Sequence, residues 1–179
     1  LLTHEHNDHI SGLDDIYPIN KKKIYIYGLP RTLEILKKRF FYFFSEEKKF
    51  NVQLINIETY ITFYISNIEI MPLLIMHGKL PILGYRINNI AYITDANFIP
   101  NETINKLKGL EILILNSLRK KPKHKSHFIL SESLKLIEIL KPKKTYLTHI
   151  SHLLGFHSIV EQELPNNIYL AYDGLILNL

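Results

Sequence analysis

The segment His4-Glu5-His6-Asn7-Asp8-His9, almost at the start of the chain, is the most informative stretch of the sequence. Alternate residues of an extended segment point the same way, so His4 and His6 can converge on one cation. The chain then bends, and Asp8 and His9 face a different point in space. The segment therefore predicts half of a site for two metal ions, and later parts of the chain must supply the missing ligands.

Three later residues are candidates for those missing ligands because each follows a predicted strand. They are His77 after Ile68–Ile75, Asp95 after Ile90–Thr94, and His149 after Thr145–Leu147. Side chains at strand ends can meet along one edge of a sheet, where functional loops concentrate. Any one of them alone would more often be a capping or hydrogen-bonding residue. Together with the opening segment, all three are predicted to be ligands.

Composition narrows the class of protein and of metal site. The chain has 179 residues, 46% of them hydrophobic and 22% charged, which predicts one globular domain over residues 1–179. No apolar run is long enough to span a bilayer, and a cytoplasmic location is expected. The absence of cysteine excludes disulfides and thiolate ligands, so His and carboxylate must hold the metal, with zinc and manganese both suitable.

The net charge of +5 is modest and is concentrated in a few basic runs. The largest is Arg119–Lys125, with smaller runs at Lys21–Lys23 and Lys143–Lys144. Two interpretations stay open: solvated loops, or a basic rim that attracts a phosphorylated substrate.

Strand and helix patterns alternate along the chain and predict a layered α/β or α+β fold, in which a block of antiparallel strands carries helices outside it. Strands are predicted at Lys23–Tyr27, Val52–Ile57, Thr59–Ile65, Ile68–Ile75, Ile82–Ile87, Ile90–Thr94, Glu111–Leu115, Thr145–Leu147, Ile168–Ala171 and Leu175–Leu177. Helices are predicted at Pro30–Phe43, Glu102–Leu107, Glu132–Leu140 and Ser158–Glu163. Ser131 is the predicted N-cap of the third helix, and Asn88-Asn89 the predicted hairpin turn.

These motifs resemble the metallo-β-lactamase superfamily over nearly the whole chain. The resemblance rests on the opening segment, on Met76-His77-Gly78, on Tyr92-Ile93-Thr94-Asp95 and on Leu147-Thr148-His149. Within the superfamily the chain is most similar to the phosphodiesterase branch, which includes phosphoribosyl cyclic phosphate phosphodiesterases and ribonuclease Z. In that branch the late histidine motif is Leu-Thr-His, and an aspartate bridges the metals.

The resemblance implies a four-layer αββα sandwich with the site at one end of its paired sheets. It also implies a ligand set: His4, His6 and His77 for one metal, Asp8, His9 and His149 for the other, and Asp95 between them. The family has strands ahead of the histidine motif that this sequence lacks, so an N-terminally truncated sandwich is expected.

The resemblance also gives His127 a role, whereas the other histidines are judged from their positions in the sequence. His127, just before a predicted helix, would protonate the leaving group, whereas the nearby His124 is flanked by lysines and is expected in a solvated loop. His152 is predicted to contact substrate or to support a ligand. His157 is predicted either to contact substrate or to be an ordinary residue at a helix N-terminus. Asp173 is expected in a turn, with a hydrogen bond to a ligand imidazole as the alternative.

The expected function is therefore a dinuclear metal-dependent hydrolase, a phosphodiesterase acting on a small cyclic or nucleotide-like phosphodiester. Two divalent ions, Zn or Mn, would activate the attacking water, and Asp8 would both bind a metal and orient that water. Thioester or lactone hydrolysis is the alternative activity, and an inactive truncated remnant is the non-catalytic one. A small phosphorylated substrate is favoured over nucleic acid as partner, and a homodimer is left open.

Overall fold

The computed structural model describes residues 1–16, 23–44 and 51–177. Lys21 and Lys22, in one of the predicted basic runs, lie outside those residues. The chain divides into two compact units, Leu1–Ile61 and Thr62–Leu179. Among the described residues, every helix is too short or too polar to cross a membrane.

The first unit combines short helices with two paired strands. Its elements are α1 (Asn7–Ile10), α2 (Leu13–Ile16), β1 (Ile24–Gly28), α3 (Pro30–Arg39) and β2 (Val52–Asn56). Pro30 occupies the first turn of α3, where its missing N–H costs no hydrogen bond. The apolar core of this first unit consists of Ile10, Leu13, Ile26, Leu33, Leu36, Phe40 and Phe43.

The second unit contains a seven-stranded sheet whose strands lie side by side in chain order. The strands are β3 (Phe63–Ile65), β4 (Ile68–His77), β5 (Leu80–Ile87), β6 (Ile90–Ile93), β7 (Ile112–Asn116), β8 (Lys144–Thr148) and β9 (Ile168–Leu170). Pairing is antiparallel from β3 to β6 and parallel from β6 to β9. Parallel neighbours need long crossovers, which contain α4 (Asn101–Lys106), α5 (Leu130–Leu140) and α6 (His157–Glu163).

The parallel part of this sheet determines where functional side chains can meet. In register, Ile93 pairs with Leu115, and Leu115 pairs with Leu147, so β6, β7 and β8 end at nearly the same level. Ligand sites of parallel sheets form outside the carboxyl ends of the strands. Asp95 and His149 follow β6 and β8 at this edge.

The sequence prediction of a mixed α/β fold is confirmed, but several element predictions are wrong. The segment Val52–Ile57, predicted in the antiparallel block, pairs in parallel with β1 instead. Residues 175–177 have no strand, and β3 begins only at Phe63. The first long helix ends at Arg39, and a 3-10 turn covers Phe41–Phe43. Asp173 lies in a turn, as predicted.

The predicted N-cap of α5 is also wrong. The helix begins two residues earlier than predicted, so Ser131 lies inside it and Ile129 is the N-cap residue. The Glu132 carboxylate accepts a hydrogen bond from the backbone N–H of Ile129, at 3.1 Å. An acidic side chain in the first turn therefore replaces the serine cap.

Candidate metal centre

Within the first unit, the opening segment gathers three imidazoles and a carboxylate. His6 has an extended backbone and α1 starts at Asn7, which confirms the predicted bend. Nε2 of the fully buried His4 lies 3.0 Å from Nδ1 of His6, and the His4 and His9 ring centroids are 4.2 Å apart. Nε2 of His9 is 3.3 Å from Oδ2 of Asp8. Nitrogen and carboxylate donors in this arrangement suit a divalent cation such as zinc.

The carboxylate of Glu5, between two of these histidines, faces α3. Thr32 donates a hydrogen bond to it at 3.0 Å, and the Nε of Arg31 lies 3.1 Å away. Arg39, at the end of α3, donates to the backbone carbonyl of Glu5 at 3.0 Å. Burial would raise the pKa of Glu5, but hydrogen bonds from its own backbone and Thr32, with the charge of Arg31, outweigh it and lower the pKa. Glu5 thus remains ionised and anchors the segment.

In the second unit, the contacts of His77 fix its tautomer. Its Nδ1 lies 2.8 Å from the carbonyl oxygen of Asp95 and 2.9 Å from that of Ser126. Carbonyl oxygens can only accept, so Nδ1 must carry the hydrogen and Nε2 the lone pair. This is the tautomer in which a histidine binds a metal through Nε2 while its other nitrogen is held by the protein.

Asp95 lies at the centre of the candidate ligands in the second unit, and only 2% of its surface is exposed. Thr94 donates to its Oδ2 at 2.6 Å, while Oδ1 lies 3.1 Å from Nε2 of His127 and 3.3 Å from Nε2 of His149. Ligand atoms of His77, Asp95 and His127 all lie within 4.8 Å of one another. A buried carboxylate among imidazoles is costly without a cation or protons to compensate it, so the donor set fits a divalent metal.

Asp95 and His149 share an unusual backbone conformation. Their φ angles are 58° and 52°, in the left-handed region that few residues other than glycine adopt. In both cases the chain turns sharply just after a strand and brings the side chain to the sheet edge. Such strain persists only where the surroundings enforce it, and it concentrates at functional sites.

Two asparagines that were not predicted as site residues hold these loops in place. The side chain of Asn116 accepts from the N–H of Ala96 at 2.8 Å and donates to the Ala96 carbonyl at 3.0 Å. The side chain of Asn97 accepts from the N–H of Gly78 at 2.6 Å and donates to the carbonyl of Lys125 at 3.2 Å. Asn116 is completely buried at the end of β7, and a polar residue closing an apolar strand was the available signal.

His127 lies beside Asp95, and its ring stacks on that of His149 with centroids 4.9 Å apart, while its role as proton donor stays a prediction. His124, expected in a solvated loop, is instead half-buried, and its Nδ1 lies 2.9 Å from Nδ1 of His127. Burial lowers the pKa of His124, and the nearby positive charges of His127, Arg119 and Lys125 lower it further. His124 thus lies in a loop, as predicted, but its ring is partly buried against His127.

His152 and His157 both lie exposed near the end of the chain. His152 starts a 3-10 turn over His152–Leu154, and His157 starts α6, where it lies 3.3 Å from the Glu161 carboxylate. Their predicted contact with substrate stays a prediction.

Comparison with known proteins identifies the family. A model described as the beta-lactamase superfamily domain matches residues 1–150. Among solved structures, a diphosphatase from the PhnP family shares 37% identity with a TM-score of 0.88, over 97% of this chain and 67% of that one. This chain belongs to the beta-lactamase superfamily, and the PhnP-family neighbour supports the phosphodiesterase branch named from the sequence.

More distant structures share the fold. YhfI from Bacillus subtilis, a metallo-beta-lactamase fold protein, is 18% identical with a TM-score of 0.79, covering 97% of this chain and 73% of its own. The short form of human tRNase Z is 15% identical with a TM-score of 0.73, covering 99% and 77%. The metallo-β-lactamase fold predicted from the sequence is thereby confirmed.

One curated relative carries the name of a transferase and not of a hydrolase. A protein called octanoyltransferase, from Porphyromonas gingivalis strain W83, is 34% identical over 179 residues. The alignment includes 98% of this chain but only 36% of the relative. This chain thus spans about a third of the length of the curated relative that it matches.

Proposed function

We propose that this member of the beta-lactamase superfamily is a metal-dependent hydrolase with two divalent ions, acting on a small cyclic or nucleotide-like phosphodiester. The observation that carries the proposal is the buried Asp95 carboxylate, with one oxygen 3.1 Å from His127 and 3.3 Å from His149. The 37% identical neighbour, a diphosphatase, supports chemistry at phosphorus.

The proposed ligands are those that the family resemblance implies. One ion would be held by His4, His6 and His77. The other would be held by Asp8, His9 and His149, and Asp95 would contribute to both sites. Support comes from the family match over residues 1–150, which includes all seven positions, and from the nitrogen and oxygen donor types. When bound, zinc or manganese would supply Lewis acidity and neutralise charge on the phosphoryl oxygens.

The chain's own residues would supply the remaining chemistry. His127 is proposed to donate the proton from its Nε2 to the departing oxygen, because that nitrogen faces Asp95. Asp8 is proposed to orient the attacking water. In the basic segment, Lys120 and Lys123 pair with Glu163 and Glu132, which leaves the exposed Lys121 and Lys125 best suited to attract an anionic substrate.

The name of the curated relative favours a second candidate, hydrolysis of an acyl thioester such as an octanoyl thioester. The chain matches only 36% of that relative, so the activity in its name can belong to the other part. Parallel assays with bis(p-nitrophenyl) phosphate, a 2′,3′-cyclic nucleotide and an octanoyl thioester distinguish phosphodiester hydrolysis from thioester hydrolysis. Hydrolysis of the thioester alone would select the acyl reaction.

The principal experiment uses Asp95→Asn, because asparagine also tolerates the left-handed backbone while removing the charge. The chain purified with zinc or manganese is expected to bind two metal ions. The variant is expected to bind at least one fewer and to lose about 100-fold in kcat on bis(p-nitrophenyl) phosphate.

Glu138→Gln, on the exposed face of α5, is the matched carboxylate control and should keep both properties. Fewer than two metals in the unaltered chain, or full activity in Asp95→Asn, contradicts the dinuclear proposal. Melting curves show whether each variant is folded.

A further inference from the structure

The two ring nitrogens of His127 have different surroundings. Nε2 is 3.1 Å from Oδ1 of Asp95 and so faces the candidate metal centre. Nδ1 points the other way, 2.9 Å from Nδ1 of His124 and 3.2 Å from the hydroxyl of Ser126. Two imidazole nitrogens at 2.9 Å must share one hydrogen, because two lone pairs or two N–H groups would repel each other.

The backbone decides which imidazole carries that hydrogen. The N–H of Ser126 donates to Nδ1 of His124 at 3.3 Å, so this nitrogen presents a lone pair. The shared hydrogen therefore belongs to Nδ1 of His127. Nε2 of His127 faces the carboxylate oxygen of Asp95, which can only accept. In the proton-donating form of His127 both ring nitrogens therefore carry hydrogens, and His124 holds the one on Nδ1 while the one on Nε2 faces the centre.

The surroundings of His124 keep it in this accepting state. Its side chain is half-buried, and the positive groups of His127, Arg119 and Lys125 lie near it. Burial lowers the pKa of His124, in agreement with the lone pair that the hydrogen bond from the Ser126 N–H assigns to its Nδ1. The loop before His124 also supports the arrangement, because Arg119 holds it by donating to the carbonyls of Pro122 and Lys123.

We propose that His124 is a positioning residue for His127: its Nδ1 accepts the Nδ1–H of His127 and fixes the ring orientation and tautomer, so that Nε2 faces the reacting centre. This inference rests on the proposed function in that His127 is the proton donor. A protonated His127 passes its Nε2 proton to the departing alkoxide oxygen as the P–O bond breaks. It ends neutral, with the remaining hydrogen on Nδ1 still held by His124.

Two substitutions separate orientation from packing. In His124→Asn, the side-chain oxygen lies near the former Nδ1 position and can still accept the hydrogen bond. In His124→Leu, a side chain of comparable size cannot accept it. Glu138→Asn and Glu138→Leu, on exposed α5 surface, are the matched controls.

The direct test is the ¹⁵N chemical shifts of the His127 ring in the zinc-loaded chain, at about pH 8.5, where an ordinary histidine is neutral. The His127 signals are assigned by their loss in His127→Gln. We expect the hydrogen on Nδ1 in the unaltered chain and in His124→Asn, and a mixture of tautomers in His124→Leu. Hydrogen on Nε2 in the unaltered chain, or the same tautomer in His124→Leu, overturns the proposal.

The kinetic test uses phosphodiesters whose leaving groups range from p-nitrophenol to simple alcohols. His124→Leu is expected to lose about 10- to 100-fold in kcat on alkyl leaving groups, with little change in KM and a smaller loss on p-nitrophenol. His124→Asn should recover most of that loss, and His127→Asn should show the same leaving-group dependence more strongly.

The two proposals fail in different ways. If the unaltered chain hydrolyses no phosphodiester, the proposed function fails, while the tautomer measurement still decides whether His124 orients His127. If the unaltered chain is active and His124→Leu matches it on every leaving group, the role of His124 is wrong and the proposed function stands.

Discussion

Glu5 lies between two proposed metal ligands, yet its carboxylate binds α3. The contacts with Thr32 and Arg31 convert a charged side chain into an anchor for the ligand-bearing segment. The anchor depends on ionisation, because only the carboxylate form pairs with the guanidinium. Its contribution to stability must therefore depend on pH.

We expect Glu5→Gln to destabilise the chain most near neutral pH. The pKa of Glu5 is lowered from its ordinary value of 4.5, so its ionic contribution is complete above that pH and is lost as the pH falls through the lowered value. Urea unfolding at neutral and acidic pH measures the difference. The difference should shrink below pH 4.5. The control Glu34→Gln, on the exposed face of α3, should show no such trend. An equal difference at both pH values would contradict the anchor.

At the same scale, the sequence could name the candidate ligands but not the neighbours that orient them. Spacing was enough for His4 to His9, since alternation along a chain is a local property. The burial of His124 was not predictable, because it depends on the bonds that Arg119 makes to the carbonyls of the following loop. Flanking lysines indicated solvent, whereas the turn of the chain brings the ring against His127.

At the scale of elements, α5 shows a helix start that sequence rules misplace by two residues. Serine is a strong N-cap residue, so Ser131 was a reasonable prediction. The observed start is held instead by Glu132, which accepts from Ile129 N–H and also lies 2.9 Å from Nζ of Lys123. A helix start at Ser131 and the observed start at Ile129 both satisfy local sequence rules, and the surrounding fold selects the second.

We therefore expect Glu132→Ala to cost about 0.5–2 kcal/mol in the free energy of unfolding, the usual loss on removing a cap. Ser131→Ala should change it little, or raise it slightly, because alanine is the better helix former inside a helix. Chemical denaturation of both variants measures the effect. The reverse order of the two losses would restore Ser131 as the cap.

Strand existence was easier to predict than strand partnership. The β-branched runs at β4, β5 and β6 and the Asn88-Asn89 turn give local signals, and the observed hairpin pairs Ile87 with Ile90. The run at β2 carries the same signal, but it pairs in parallel with β1, which lies earlier in the chain. Periodicity records which face of a strand is buried and contains no information on its neighbour.

For the whole molecule, metal binding and stability should be linked. A ligand that binds only the folded chain stabilises it by about 2.7 kcal/mol per site at a hundredfold excess over its Kd. For a chain of this size, that corresponds to a rise in Tm of about 5–11 °C. Calorimetry before and after removal of metal with a chelator, and after adding zinc back, measures the shift.

Asp95→Asn should show a smaller rise on adding zinc, and Glu138→Gln a normal one. An identical Tm with and without metal would contradict a metal centre built from ligands that are far apart in the chain. The fold class itself was predictable at this scale, since the motifs that carry the resemblance are spread from His4 to His149. The family match over residues 1–150 extends over the same stretch.

The left-handed backbones of Asp95 and His149 have a consequence for the evolutionary history of such a domain. Glycine, asparagine, aspartate and histidine adopt this conformation more readily than other residues, so we expect substitutions at position 95 to favour this small set whether or not the chemistry is retained. A lineage that lost catalysis would keep the turn and replace Asp95 with asparagine or glycine. Asn or Gly at this place in a related gene would then mark a pseudoenzyme with an intact fold.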